Sequence, residues 1–371
     1  MQLTINRTEL LKALKLVGRA VPSRSTQPAL RTFNLIAARD RLCLAATDLE
    51  TYIRQTVPAD ITQPGALCVG VLFAEFIAQV IGDEVTMRCE GNSLVVRCGR
   101  NQARFPVIDA AEFPVWPAEF TLLCRISSGV VNQIARRVLH AAATDETRPI
   151  LTGVHITQGD KQLRMTTADG FRLATASVPV SNEAEFEATI PAKAVSALSA
   201  FQTGDLSIAQ PVAGKTSQVL FYNDSLEVLS QVVMGKFPDV NSIIPTTYDT
   251  QVRVKREEML HACRLLRVFA REARDVLKLD VGPEQIILAS ETGESDDSRS
   301  VMDAEVAGKP VQLAVNVDYM IDALAALDAK FVLLQFISAA HPMVVRPDRD
   351  EDCVAVIMPM NALENGNAPA R

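Results

Sequence analysis

Apolar residues recur at helical spacing at the start of three successive stretches of the chain. In residues 8–17, Leu10, Leu11, Leu14 and Val17 fall three and four apart on one face. Ser127, Ser128 and Gly129 offer cap residues before a second such run at 130–139, and Glu257 and Glu258 place acids in the first turn of a third at 257–266. A shorter apolar-rich helix is predicted in the middle of each stretch, at 72–81, 192–201 and 317–327. The remainder alternates with period two between turn signals. Residues 85–89, 93–97 and 218–222, the last followed by Asn223-Asp224, read as strands.

Landmarks repeat along with the helices. Strand-like runs end in an acidic turn at Asp48, Asp169 and Glu291, and a Pro-bearing corner recurs as Phe113-Pro114, Phe237-Pro238 and Met358-Pro359. An interval of about 120 residues is too long for a solenoid and suits a whole domain. The expected architecture is α+β, with three similar domains in series, each of two helices and about eight strands. The boundaries are placed at residues 1–119, 120–249 and 250–371, the last including a polar, unpatterned tail at 361–371.

Composition narrows the class. Nearly half of the 371 residues are hydrophobic (48%) and 22% are charged, the balance of a globular protein with ample core. No apolar run reaches the length of a membrane span, and the first residues carry no basic leader before an apolar block, so a cytoplasmic location is expected. The seven cysteines include no Cys-x-x-Cys pair. Cys89 and Cys98 flank a turn and invite a cross-hairpin pairing, but no histidine set completes a metal site. No metal or cofactor is expected.

Catalytic motifs are weak. Gly214-Lys215-Thr216 resembles the end of a phosphate-binding loop, yet Ala209 stands where the first glycine belongs and strands follow instead of a helix. A nucleotide-handling enzyme built on that loop remains the alternative reading. Asp48 and Asp169 suit turn formation better than a catalytic carboxylate pair.

The polar faces of the three opening helices say more. The first carries Lys12, Lys15 and Arg19, the second Arg136, Arg137 and His140, the third Arg264, Arg267 and Arg271. Net charge is −7, so three basic stripes on equivalent helices are a local concentration against the average. Turned toward one another they would face a single polyanion, binding phosphates without reading sequence. Lys12, Lys15, Arg19, Arg24, Arg136, Arg137, Lys193 and Arg264 form the expected phosphate-contact set.

Five stretches then resemble one family. Residues 148–153 (Arg148-Pro149-Ile150-Leu151-Thr152-Gly153), 167–174, 235–239, 315–319 and 356–360 (Val356-Ile357-Met358-Pro359-Met360) are similar, in order and spacing, to signatures of the bacterial DNA polymerase III beta subunit. The resemblance spans residues 1–360. It implies a non-catalytic sliding clamp, a head-to-tail homodimer closing as a ring around duplex DNA with helices inside and antiparallel sheets outside. Expected partners are DNA, the polymerase catalytic subunit, the clamp loader, and other polymerases and repair proteins that dock by short linear motifs. The implied peptide cleft comprises Leu151, Gly170, Phe171, Arg172, Leu173, Pro238, Ile243, Val356, Ile357, Met358, Pro359 and Met360, with Arg172 fixing a polar end of the peptide. The implied dimer interface sets Arg104, Phe105 and Val107 against Arg267, Val268 and Glu272. A bacterial, nucleoid-associated location follows from the same resemblance. Asp145 stands in the loop where the family usually places a neutral polar residue near DNA.

Overall fold

The computed structural model describes residues 1–115, 119–181, 184–202, 204–211, 217–240, 242–292 and 295–360. The Gly214-Lys215-Thr216 loop and the tail at 361–371 lie outside the described residues.

Six α-helices occur among the described residues: α1 (Arg7–Val17), α2 (Leu72–Gln79), α3 (Ser128–Val138), α4 (Ala192–Ala197), α5 (Arg256–Ala270) and α6 (Val317–Ala326). They fall at the six positions that the periodicity predicts. Asn6 begins α1 by accepting hydrogen bonds from the backbone N–H groups of Thr8 (2.9 Å) and Glu9 (3.1 Å), and Asn316 starts α6 in the same manner with Asp318 and Tyr319. In α1 the buried face is Leu10, Ala13, Leu14, Leu16 and Val17, so Leu16 takes the place expected for Leu11. The predicted mid-unit helix at 192–201 is shorter than expected: α4 gives way to a 3-10 turn at Leu198–Ala200.

Among the described residues every strand pairing is antiparallel, and the strands assort into two compact units. Residues 1–132 and 193–232 form the first, and residues 133–192 and 233–371 the second. The first unit holds one thirteen-stranded sheet. Within it, Leu226–Gln231 of the middle repeat runs beside Thr51–Pro58 of the first repeat, with Val228 opposite Ile53. Tyr52, Ala209, Leu220 and Leu229 pack over this seam, and Arg54 pairs with Glu227 directly across it.

The second unit holds a nine-stranded and a four-stranded sheet. Here Arg172–Pro179 of the middle repeat runs beside Cys353–Ile357 of the third, from Arg172 opposite Ile357 to Ala176 opposite Cys353. The middle repeat therefore lends strands to both units. Serial sequence order hides this, because each seam joins residues far apart in the chain.

The cross-hairpin cysteine pairing is not formed. The register sets Cys89 opposite Leu94, and both Cys89 and Cys98 are free thiols. Burial in apolar surroundings pushes the Cys263 thiol up to about 12 and those of Cys124 and Cys353 to about 11, so they behave as small hydrophobes.

Candidate partner cleft and basic helix faces

The turn between strands Gln162–Ala168 and Arg172–Pro179 carries Gly170 and Phe171 of the expected cleft and leads into Arg172 and Leu173. The Asp169 carboxylate accepts from the backbone N–H groups of Phe171 and Arg172, both at 2.9 Å. Asp48 makes the same turn in the first repeat, accepting from Glu50 (3.1 Å) and Thr51 (2.7 Å). Gly170 sits at φ +94°, where a side chain is strained. The turn presents the Phe171 ring to solvent, 64% exposed, while its carbonyl accepts from the Met358 N–H at 2.9 Å. Met360 N–H donates to the Ala314 carbonyl at 2.7 Å. The Met358-Pro359-Met360 segment is thus fastened to the middle repeat at one end and to the third repeat at the other.

Near this turn, Leu151, Leu173 and Val356 join Ala168, Phe237, Val240 and Val344 in one apolar cluster, with Ile244 and Tyr248 packed against it. Ile357 is buried beside it in the sheet. Gly170, Phe171, Pro238, Ile243 and Met358 are exposed, and Pro359 and Met360 are half-buried. The twelve expected cleft residues therefore divide into an aliphatic base and an exposed rim that includes an aromatic ring and a thioether. Sequence reading missed Phe237, whose ring stacks on His155 at 4.7 Å, and Val240 and Val344. Phe237 lies inside a signature stretch and could have been found there. Val344 carries no such signal.

Arg172 is placed differently from its expected role at the peptide's polar end. Its Nε donates to Asp169 at 2.9 Å, one terminal nitrogen donates to Asp322 at 2.7 Å, and its guanidinium lies 4.3 Å over the Tyr319 ring. The side chain is only 13% exposed. This charge is occupied within the chain, locking the Asp169 turn to α6. Spacing cannot show it, because Asp322 is 150 residues away.

The basic helix faces are also thinner than the sequence suggests. Lys12 and Lys15 project from α1 as exposed side chains, Lys12 with a loose pair to Glu9 at 2.9 Å. Arg19 reaches the Ser196 carbonyl at 3.2 Å while remaining exposed, and Arg24 is exposed. On α3 Arg136 is exposed, but Arg137 is 10% exposed and ion-paired with Asp350 at 2.8 Å. Lys193 is paired with Asp48. On α5 Arg264 is exposed, and Arg267 is paired with Asp318. So Arg137 leaves the free basic set, because its ion pair with Asp350 holds it. His140 leaves as well, since burial, with Arg172 beside it, lowers its pKa to about 4 and keeps the ring neutral. The Asp145 carboxylate accepts from the Thr147 N–H and hydroxyl, both at 2.9 Å, which holds it ionised below its usual range.

Among the described residues no group of three or more His, Cys, Asp or Glu side chains gathers to hold a metal, and no helix is long and apolar enough to cross a membrane.

Three family profiles tile the chain. Residues 1–117 match the N-terminal domain of the DNA polymerase III beta subunit, residues 125–239 its central domain and residues 241–361 its C-terminal domain. The chain belongs to the DNA polymerase III beta subunit family. The beta sliding clamp of Bacillus subtilis is 28% identical over 378 residues, covering 97% of this chain and 99% of that protein. The crystal structure of a Bacillus subtilis DNA polymerase sliding clamp superimposes with a TM-score of 0.86 at 27% identity, covering 97% of this chain and 99% of that one. The beta subunit of Thermotoga maritima, at 23% identity over the same shares of the two chains, has the same fold with a TM-score of 0.88.

The fold is thus the three-domain α+β clamp fold with antiparallel sheets. The function is that of a sliding clamp of DNA polymerase III, a processivity factor without catalysis of its own. Membership of this clamp family implies DNA and polymerase as partner classes.

In this clamp the expected interface residues are half-exposed or exposed. Phe105 packs edge-on against Phe73 (5.8 Å) and Phe76 (5.7 Å), Val107 is half-buried beside it, and Arg104 pairs with Glu90 at 3.0 Å. On α5, Val268 is 67% exposed with Leu265 one turn before it, and Glu272 is exposed just beyond the helix.

The neutral His140 gives the clamp a pH dependence. Its folded pKa is depressed from 6.5 to about 4, so the unfolded chain binds the extra proton first as pH falls. This contribution to stability is complete above pH 6.5, declines through the window down to about pH 4 and is absent below it, about 3 kcal/mol in all. Urea unfolding at pH 7 and at pH 4.5 should show a steeper loss for the wild type than for His140→Gln. Equal losses would remove His140 from the account.

Proposed function

We propose that the chain closes as a head-to-tail homodimer around duplex DNA, slides without reading sequence, and tethers a polymerase and other partners through the cleft of the second unit. The three repeats are read as domains 1–119, 120–249 and 250–371. The observation that carries this reading is the set of exposed cations on three equivalent helices: Lys12 and Lys15 on α1, Arg136 on α3 and Arg264 on α5. These contact phosphates non-specifically, with Arg19, Arg24 and Lys193 beside them and Lys193 sharing its charge with Asp48. The partner peptide lies on the Leu151, Leu173 and Val356 base between Phe171, Pro238, Ile243 and Met358, where aliphatic and Met side chains adapt to several sequences. Tethering raises processivity through effective concentration.

Two sheet margins support ring closure. Strand Asn101–Ile108 pairs with Ser93–Cys98 along its first six residues, and with Gly65–Gly70 only at Val107 and Ile108. Strand Ser295–Asp303 stands at the end of the four-stranded sheet. Open strand margins pair readily with another chain. Phe105 and Val107 at one margin, and Val268 with Leu265 near the other, supply apolar surface for the joint.

The native mass should be twice that of the chain, and loaded protein should stay on circular DNA but run off linear DNA. Reversing Lys12, Lys15, Arg136 and Arg264 together to Glu should abolish loading at physiological salt while leaving the dimer. Val268→Glu should instead weaken the dimer at least tenfold, because it buries a charge at the joint. Equal retention on circular and linear DNA sinks the encircling model.

A further inference from the structure

We infer that the first unit carries a second peptide-docking site, framed like the cleft of the second unit but suited to an apolar segment flanked by a basic residue. The likeness of the two frames rests on the peptide-cleft reading above.

The frames agree in their backbone. The Gln231 N–H donates to the Glu50 carbonyl at 2.7 Å, as the Met358 N–H donates to that of Phe171 at 2.9 Å. Leu229 stands opposite Tyr52, as Val356 stands opposite Leu173. A 3-10 turn at Pro28–Arg31 carries the buried Leu30, as Pro149–Thr152 carries Leu151. Each acidic turn is also tied to a helix. Lys193 of α4 pairs with Asp48, and Asp322 of α6 pairs with Arg172, which holds Asp169.

The side chains on this frame differ, and the differences set what it takes. Leu49 occupies the place of Gly170 and is held at φ +76°, a costly conformation for a bulky residue, with its side chain 40% exposed. Its N–H donates to the Thr47 hydroxyl at 2.8 Å, which keeps it there. A glycine would make this turn without strain. What the leucine adds is exposed apolar surface just before the strand that carries Tyr52. Tyr52 and Leu229 share one apolar cluster, with Phe120 and Tyr222 half-buried against it.

Glu50 takes the place of Phe171. Its side chain is exposed and makes no ion pair among the described residues. The acids around it are engaged, Asp48 by Lys193 and Glu227 by Arg54. Arg31, exposed at the end of the 3-10 turn, is the cation of opposite effect. An extended peptide that sets an apolar side chain against Leu49 and a lysine or arginine beside Glu50 complements both, and the rim charge selects among partners more than it adds affinity. Thr47 stands opposite Tyr52 where Ala168 stands opposite Leu173, and Phe113 belongs to a separate cluster. The apolar base is therefore smaller than that of the second unit, and binding is the weaker of the two.

The test titrates a fluorescein-labelled hexapeptide, two leucines flanked by Lys, Gln or Glu, by anisotropy. The full-length clamp carries Phe171→Asp and Met358→Asp, which place charge on the rim of the second unit's cleft and close it to apolar peptides. This clamp should still bind the Lys form, about two- to fivefold more tightly than the Glu form, with the preference fading in high salt. Glu50→Gln should erase the preference. Leu49→Gly relieves strain and so keeps the fold, yet should weaken all three forms about fivefold. If the cleft-closed clamp binds none of the peptides, or binds them unaltered by Glu50→Gln and Leu49→Gly, there is no second site. If closing the cleft leaves wild-type binding unchanged while Leu49→Gly weakens it, the cleft reading fails and this site stands.

Discussion

Arg172→Ala is expected to cost about 3 kcal/mol of stability and to weaken cleft peptides more than tenfold, with the native mass unchanged. The guanidinium is held by Asp169 and Asp322 and lies over Tyr319. Its removal leaves Asp169 and Asp322 without their shared cation, and an unpaired charge at Asp169, whose side chain is 14% exposed, costs more than the pair contributed. Asp169 still accepts from the Phe171 and Arg172 backbone, so the turn survives but loses its tie to α6. The Phe171 carbonyl that receives the Met358 N–H then shifts, and the Met358-Pro359-Met360 segment with it. Without Arg172 nearby, His140 also titrates higher, since that charge is one cause of its depression. Arg172→Lys should recover only part of the loss, because an ammonium cannot hold both carboxylates and lie flat on the ring. Urea unfolding and peptide anisotropy together check this, and a variant within 1 kcal/mol of wild type with intact binding would count against the network.

Gly308→Ala should be worse still for stability, about 3–5 kcal/mol. Gly308 ends the strand Glu305–Gly308 at the edge of the nine-stranded sheet, opposite Thr250, with φ +122°. A Cβ there would overlap the Asp249 carbonyl oxygen and the Thr250 Cα, both backbone atoms that no rotamer can clear. The strand cannot back away cheaply. The Thr250 hydroxyl donates to the Lys309 carbonyl at 2.7 Å and accepts from the Lys309 N–H at 3.1 Å, clipping the next residue in place. Gly91→Ala is the matched control: it too has positive φ, but open space surrounds the position. Its cost should be about 1 kcal/mol. Thermal or urea unfolding separates the two, and similar losses would mean that strain alone decides.

The helices and the α+β class were legible because each opening helix buries a stripe at helical spacing, and periodicity survives in a single sequence. The acidic turns were legible at Asp48 and Asp169 because an aspartate that binds its own following backbone is a local event. Ion pairs were not. Arg137 looks like one more cation on a basic face until Asp350 is brought beside it, and Arg172 looks like a free anchor until α6 arrives with Asp322. Both partners lie more than 100 residues away along the chain, and no spacing rule reaches them. The seams were hidden for the same reason: nothing in residues 172–176 announces that residues 353–357 will lie alongside. The residues of the proposed cleft were named by resemblance. Why its base is apolar follows from the sheet, which brings Leu173 and Val356 opposite each other.

The strand seams within the two units bear on how such a chain can be taken apart. Each repeat is completed by a margin borrowed from a neighbour through ordinary backbone hydrogen bonds, so none of the three is a closed object. Cutting the gene at the repeat boundaries would yield pieces with raw edges, prone to stick to whatever strand they meet. The compact units divide within α3, at the start of α4 and again between Val232 and Val233, so each unit is built from two chain segments and no single cut of the gene releases either one whole.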